Sequence, residues 1–218
     1  MKTALIFGAT GLIGNELIRK IVDDAHYHEL KVFARRNIRL KNLHAEVIQV
    51  DFEKLDEYAH LITGDDCFCC LGTTMRKAGS KENFRKIDFD LVVKIAQIAS
   101  QNGVKGFIVI SSIGAKASSS NFYLRTKGEM EEAIQKFNFE RINIIRPSFL
   151  LGKRREFRIG EKFSAPFTRL LSPFMIGPLK KYRPIHARTV VKAILRIANS
   201  KNSKTIYESD ELQKLGRG

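Results

Sequence analysis

Residues Thr3-Ala4-Leu5-Ile6-Phe7-Gly8-Ala9-Thr10-Gly11-Leu12-Ile13-Gly14 decide how the chain is read. Thr3 to Phe7 is a short apolar run of strand type. The glycines follow, and Leu12, Ile13, Leu17, Ile18, Ile21 and Val22 then recur at helical period. A strand that passes through a glycine turn into a helix is the context a dinucleotide-binding fingerprint requires. Gly8 permits the tight turn, Gly11 lets the backbone approach a pyrophosphate, and Gly14 lets the helix pack closely on the strand. The first-turn N–H groups add unpaired donors and a positive dipole end. Thr10, Leu12 and Ile13 complete this turn and are expected to share in binding the phosphates. Lys2 and the apolar run after it only superficially suggest a signal peptide: the run is short and glycines interrupt it.

Outward from this turn the same alternation continues. Leu30 to Ala34, Glu46 to Val50, Cys67 to Leu71, Phe107 to Ile110, Ile142 to Ile145 and Thr205 to Tyr207 read as strands. Helical spacing marks Leu91 to Ala99, ending at an Asn102-Gly103 cap, then Phe122 to Phe137 and Arg188 to Ala198. Strands alternating with helices predict a doubly wound α/β fold with a parallel sheet, the Rossmann type. The uniformly apolar strands agree, because such a sheet is covered on both faces.

The chain of 218 residues is expected to form one such domain over 1–218. Residues 152–184 break the pattern with Phe157, Phe163, Phe167, Phe174, four prolines and many cations. Lys153 to Arg188 carries ten Lys/Arg against Glu156 and Glu161, a local balance of +8. This segment reads as a short, basic, Phe-rich substrate lid over the carboxyl edge of the sheet.

The net charge of +15 suits anionic ligands, yet no nucleic-acid-binding motif accompanies it and no nucleic acid is expected. No stretch approaches the roughly 20 apolar residues of a membrane span. Cys67, Cys69 and Cys70 lie on one strand, where alternation sends Cys70 to the opposite face, so they do not converge on a metal. They read as buried small hydrophobes in a reducing, cytoplasmic setting. The five histidines show no ligand spacing, and no metal is expected.

The end of the second strand bears on cofactor choice. An NAD site usually places a carboxylate there for the ribose 2′-hydroxyl, whereas this chain has Arg35-Arg36. A guanidinium favours a 2′-phosphate, so NADP(H) is the expected cofactor. Asp51-Phe52 after the third strand is placed for the adenine, and Leu71-Gly72-Thr73 after the fourth for the nicotinamide ribose. Tyr123 and Lys127, at i and i+4, share one helix face. A free tyrosine has a pKa of about 10, and a neighbouring ammonium favours its phenolate. Ser111-Ser112 ends the strand before that helix and offers hydroxyls to a substrate carbonyl.

These residues together resemble the short-chain dehydrogenase/reductase superfamily over Met1 to about Tyr207. Within it, Cys70-Leu71-Gly72-Thr73-Thr74, Ser111-Ser112-Ile113-Gly114-Ala115, Tyr123 to Glu129 and Arg146-Pro147 look like the Tat-interacting-protein oxidoreductase branch. The resemblance implies a Rossmann fold, NADP(H) and a Ser–Tyr–Lys set at Ser112, Tyr123 and Lys127. Ser112 is preferred to Ser111 because members of the superfamily generally use the second serine. On the same resemblance Ser111, Tyr123, Lys127, Arg146 and Pro147 join the expected cofactor contacts. The expected activity is NADP(H)-dependent oxidation or reduction of a small carbonyl or alcohol substrate, hydrophobic or anionic. An NADP(H)-binding regulator with little turnover and an epimerase- or dehydratase-like enzyme remain the alternatives.

Overall fold

The first strand, β1 (Lys2–Phe7), sends its side chains alternately into two cores. Ala4 and Ile6 enter one and Leu5 and Phe7 the other, and all four are fully buried. A strand buried on both faces is why its sequence is apolar without alternation. The computed structural model describes residues 1–38, 40, 45–152, 177–200 and 204–217.

Around β1 the other strands are β2 (Tyr27–Ala34), β3 (Ala45–Gln49), β4 (Asp66–Cys69), β5 (Gly106–Ile110), β6 (Arg141–Arg146), β7 (Leu150–Leu151), β8 (Ile185–His186) and β9 (Ile206–Glu208). Seven of them form one sheet in the order β3-β2-β1-β4-β5-β6-β9, with every pairing parallel. The short β7 and β8 pair separately. This is the doubly wound Rossmann-type sheet read from the sequence. The order reverses between β1 and β4, and such a switch point opens a crevice at the carboxyl ends of the strands.

The helices are α1 (Leu12–Ile21), α2 (Met75–Ala78), α3 (Lys81–Arg85), α4 (Leu91–Gln101), α5 (Phe122–Ile134), α6 (Ala187–Ala198) and α7 (Ser209–Arg217). α1, α6 and α7 cover one face, through Leu17, Ile21, Val190, Ile194 and Leu212. α4, α5 and a 3-10 segment (Phe52–Leu61) cover the other, through Leu55, Ile95, Ala99, Met130 and Ile134. Cys67 and Cys69 enter this second core while Cys70 packs against the first, as strand alternation requires. Gly103 takes φ +74° behind α4, and Val104 N–H returns to the Ala99 carbonyl, closing that helix.

Several elements escape a periodicity reading. The 3-10 segment, α2 and α3 are too short or too tightly wound to show a 3.6-residue stripe. Asp51, Thr74 and Ser80 cap them by accepting backbone N–H bonds. A single π turn (Lys86–Asp90) joins α3 to α4. α5 stops at Ile134 rather than Phe137, because the chain turns there and lays Phe137 on the core. β4 stops at Cys69 rather than Leu71.

Of the expected lid, 153–176 and its four phenylalanines lie outside the described residues. Its flanks are Gly152, set against Leu12 of α1, and a 3-10 turn (Gly177–Tyr182) leading into β8. A Cβ on Gly152 would meet Leu12 Cδ1 at 2.6 Å, so the chain leaves β7 across the start of α1.

Candidate cofactor site

At the switch point the glycine turn is built by close approach. Gly8 has φ +84°, and a Cβ there would lie 2.6 Å from the Cys70 carbonyl carbon and oxygen. A Cβ on Gly14 would stand 2.3 Å from the Gly8 carbonyl oxygen. Both are backbone atoms, so neither glycine can be replaced without moving β1, β4 or α1. Gly11 takes extended backbone as N-cap of α1, with no side-chain cap and no acidic residue in the first turn. The leading N–H groups therefore keep free donors and the positive dipole end, the chemistry that suits a pyrophosphate. Thr10 and Gly11 are exposed, Leu12 is half-buried and Ile13 is buried. Ile13 therefore offers backbone rather than side chain.

The nucleoside end lies at the carboxyl ends of β2 and β3. Arg35 and Arg36 are exposed there. Arg35 lines an open cleft of about 280 Å³ with Gln49, Val50, Asp51 and Tyr58, and Arg36 does not. Asp51 accepts the Glu53 N–H at 2.9 Å and caps the 3-10 segment. Phe52 is half-buried, its ring 6.4 Å from Phe7, which itself stacks on Phe33 at 4.6 Å. Of the two expected adenine neighbours Asp51 borders this cleft while Phe52 packs on the core behind it, and Tyr58 joins Asp51 from a segment the periodicity did not show.

The Ser–Tyr–Lys residues converge from β5 and α5. Asn121 caps α5 by accepting Leu124 N–H at 3.2 Å, which puts Tyr123 in the first turn and Lys127 one turn on. Tyr123 is half-buried with its ring 5.5 Å from Phe84. Lys127 is 3% exposed. Its Nζ lies 2.8 Å from Asp88 Oδ1 and donates to the Ile110 carbonyl at 3.4 Å. Burial opposes the ammonium, but the charges of Asp88 and Tyr123 and the bond to Asp88 outweigh it, and its pKa is raised. Asp88 Oδ2 accepts the Thr73 N–H at 2.7 Å, so the loop after β4 ends on the same carboxylate. Leu71 is half-buried on the core and Gly72 is exposed beside the pair.

The two serines differ. Ser111 is buried and its hydroxyl donates to Glu131, while its N–H donates to the Ile145 carbonyl at 2.8 Å. Ser112 is half-buried, and its hydroxyl makes one long contact of 3.4 Å to the Ile113 carbonyl. Arg146, expected at the cofactor, divides its guanidinium between Glu131 and Glu208, joining β6 to α5 and β9. Those bonds and charges raise its pKa further. Pro147 is buried, its carbonyl accepting Ile113 N–H at 3.1 Å, which fixes the strand end beside Ser112. Asp88 and Glu131 were not singled out from the sequence. The available signal was an acidic residue inside each apolar helical stripe.

An NAD(P)H-binding family model matches residues 8–167. The rat Protein HTATIP2 is 41% identical over 172 residues, which span 76% of this chain and 70% of that protein. The mitochondrial Protein FMP52 of Candida albicans is 31% identical over 225 residues, 98% of this chain and 97% of its own. Among solved structures, UDP-glucose 4-epimerase of Thermotoga maritima superposes with TM-score 0.70 at 16% identity, covering 99% of this chain and 81% of that one. L-threonine 3-dehydrogenase of Trypanosoma brucei gives 0.70 at 14%, covering 97% and 78%. At such identities the likeness is one of fold. The mitochondrial relatives overturn the cytoplasmic location expected from the sequence. The free cysteines report burial in the core, not a compartment. No helix among the described residues is long and apolar enough to cross a membrane.

Proposed function

The chain belongs to the NAD(P)H-binding family, and from that premise we propose that it is an NADP(H)-dependent oxidoreductase acting on a carbonyl or alcohol through Ser112, Tyr123 and Lys127. The observation that carries the reading is the Lys127 ammonium, buried at the carboxyl end of β5 on the same helix face as Tyr123. A buried lysine one turn below a tyrosine is costly to place and has a use in proton chemistry. The ligand would lie along the switch-point crevice, its pyrophosphate on the first turn of α1 and its nicotinamide ribose over Gly72 and Lys127. The absence of side chains at Gly8, Gly11 and Gly14 fits such a ligand. Arg35, on the cleft beside Asp51, supports a 2′-phosphate and hence NADP(H) over NAD(H).

The bound nicotinamide supplies or accepts a hydride at its ring carbon. In reduction, the substrate oxygen would take hydrogen bonds from the Ser112 hydroxyl and the Tyr123 phenol. As that oxygen gains negative charge, Tyr123 passes it a proton. The Lys127 ammonium stabilises the phenolate left behind. In oxidation the same proton returns to Tyr123.

The deciding experiment is Tyr123→Phe, assayed by NADPH consumption against aldehydes and ketones, with calorimetry of NADPH binding. Turnover is expected to fall by about 10²–10⁴ with cofactor affinity nearly unchanged. A fully active phenylalanine variant would sink the mechanism.

A further inference from the structure

The Ser–Tyr–Lys reading leaves one buried charge without a task. Asp88 is 1% exposed, on the π turn that opens α4. Turns of that kind recur at functional sites. Its Oδ1 faces Lys127 Nζ at 2.8 Å and its Oδ2 takes the Thr73 N–H at 2.7 Å. One carboxylate therefore touches both the lysine and the loop expected to carry the nicotinamide ribose. Gly72 lies between them. A Cβ there would come 3.4 Å from Asp88 Oδ1 and 3.8 Å from Lys127 Nζ, so the Gly72 backbone packs directly on the pair.

We infer that Asp88 is the positioning residue of this site, fixing the Lys127 ammonium and the Leu71–Thr73 loop in one frame before the cofactor arrives. Its consequence for catalysis rests on the function proposed above; the contact itself rests on the geometry. A lone ammonium at this depth would shed its proton. The groups that face it are Asp88 from the π turn, Tyr123 from its own helix, Cys69 from β4 and the Ile110 carbonyl from β5. Only Asp88 is a carboxylate, and it keeps the lysine charged against burial. A neutral lysine would still reach a ribose hydroxyl but would do nothing for a phenolate. The tether to Thr73 N–H adds a second constraint: loss of the carboxylate frees the loop as well as the lysine.

The test follows the Lys127 side-chain amine by NMR in lysine-labelled, ligand-free protein, assigned with Lys127→Arg, for the native chain and Asp88→Asn. The native amine is expected to titrate above the ordinary lysine range, and the variant's midpoint to fall by at least about one pH unit, a tenfold loss of proton affinity. An unchanged midpoint in a folded variant overturns the assignment. NADPH calorimetry on the same proteins should show about tenfold weaker binding in Asp88→Asn. Failure of the native chain to bind NADPH would count against the proposed function, while the ligand-free titration still decides the role of Asp88. If Asp88→Asn alone does not fold, the double variant Asp88→Asn, Lys127→Met removes both charges and is expected to restore folding. A double variant that stays unfolded overturns the pairing as the reason.

Discussion

Ser111 gives its hydroxyl to the buried carboxylate of Glu131, although the adjacent Ser112 is the serine whose hydroxyl is left nearly free. Glu131 passes the connection on to Arg146, and Arg146 to Glu208, so Ser111 is the first link of a clamp joining β5, α5, β6 and β9. Ser112 therefore sits on a strand end held rigid from behind.

The two serines should separate in mutagenesis. Ser111→Ala removes one hydrogen bond to a buried charge and is expected to cost about 1.5–3 kcal/mol of stability. Ser112→Ala should leave the urea midpoint almost unchanged and lower turnover by about 10²-fold or more. Urea unfolding alongside NADPH-coupled assays decides the matter. The reverse pattern would move the catalytic role to Ser111.

Arg35 and Arg36 should also differ, since Arg35 alone lines the cleft with Asp51 and Tyr58. Arg35→Ala is expected to lose about 1.5–3 kcal/mol of NADPH binding, with NADH binding barely altered. Arg36→Ala should do much less. Side-by-side calorimetry of the two nucleotides reads this directly, and equal NADPH and NADH affinity in the native chain would remove the argument for a 2′-phosphate.

Gly14→Ala places a methyl 2.3 Å from the Gly8 carbonyl oxygen, a backbone contact that relaxes only if α1 backs away from β1. A loss of about 1–3 kcal/mol is expected, together with loss of nucleotide binding, because the shifted helix takes its first-turn N–H groups with it. Gly79→Ala is the control: its φ is +76° but nothing lies within 4 Å of the added methyl. That variant should lose roughly 1 kcal/mol from backbone strain and bind normally. Thermal unfolding with and without NADPH compares the pair.

Stability should fall on the alkaline side. Burial pushes the Cys69 thiol up to about 12, despite a backbone bond from Leu71 and the charge of Lys127 that pull it down. Burial likewise raises the Tyr27 phenol, helped by the charge of Asp66 and the 2.8 Å bond to it. Both groups have folded values above their unfolded ones, about 8.5 for a thiol and about 10 for a phenol. Their stabilisation is complete below those unfolded values and is lost progressively as pH rises from them towards the folded ones. Urea midpoints are thus expected to drop between pH 9 and pH 11, and Tyr27→Phe to flatten the part above about pH 10. A midpoint constant over that range would refute the account.

Features that depend on near neighbours in the chain were legible in its residues. The turn Gly8–Gly14, the apolar strands, the pairing of Tyr123 with Lys127 on one face, and the split of Cys67 and Cys69 from Cys70 all follow from periods of 3.6 and 2 residues. The tertiary structure decided what depends on residues far apart in the chain. Asp88 reaches Lys127 only because α4 and α5 lie side by side on the same face of the sheet. Glu131 is an ordinary helical glutamate until β5 and β6 bring Ser111 and Arg146 to it, and that encounter gives the Arg146 guanidinium, expected at the cofactor, its carboxylate partners. Sequence spacing encodes local backbone geometry. Which charges survive burial depends on the partner the fold delivers to each, and only the folded chain specifies that partner.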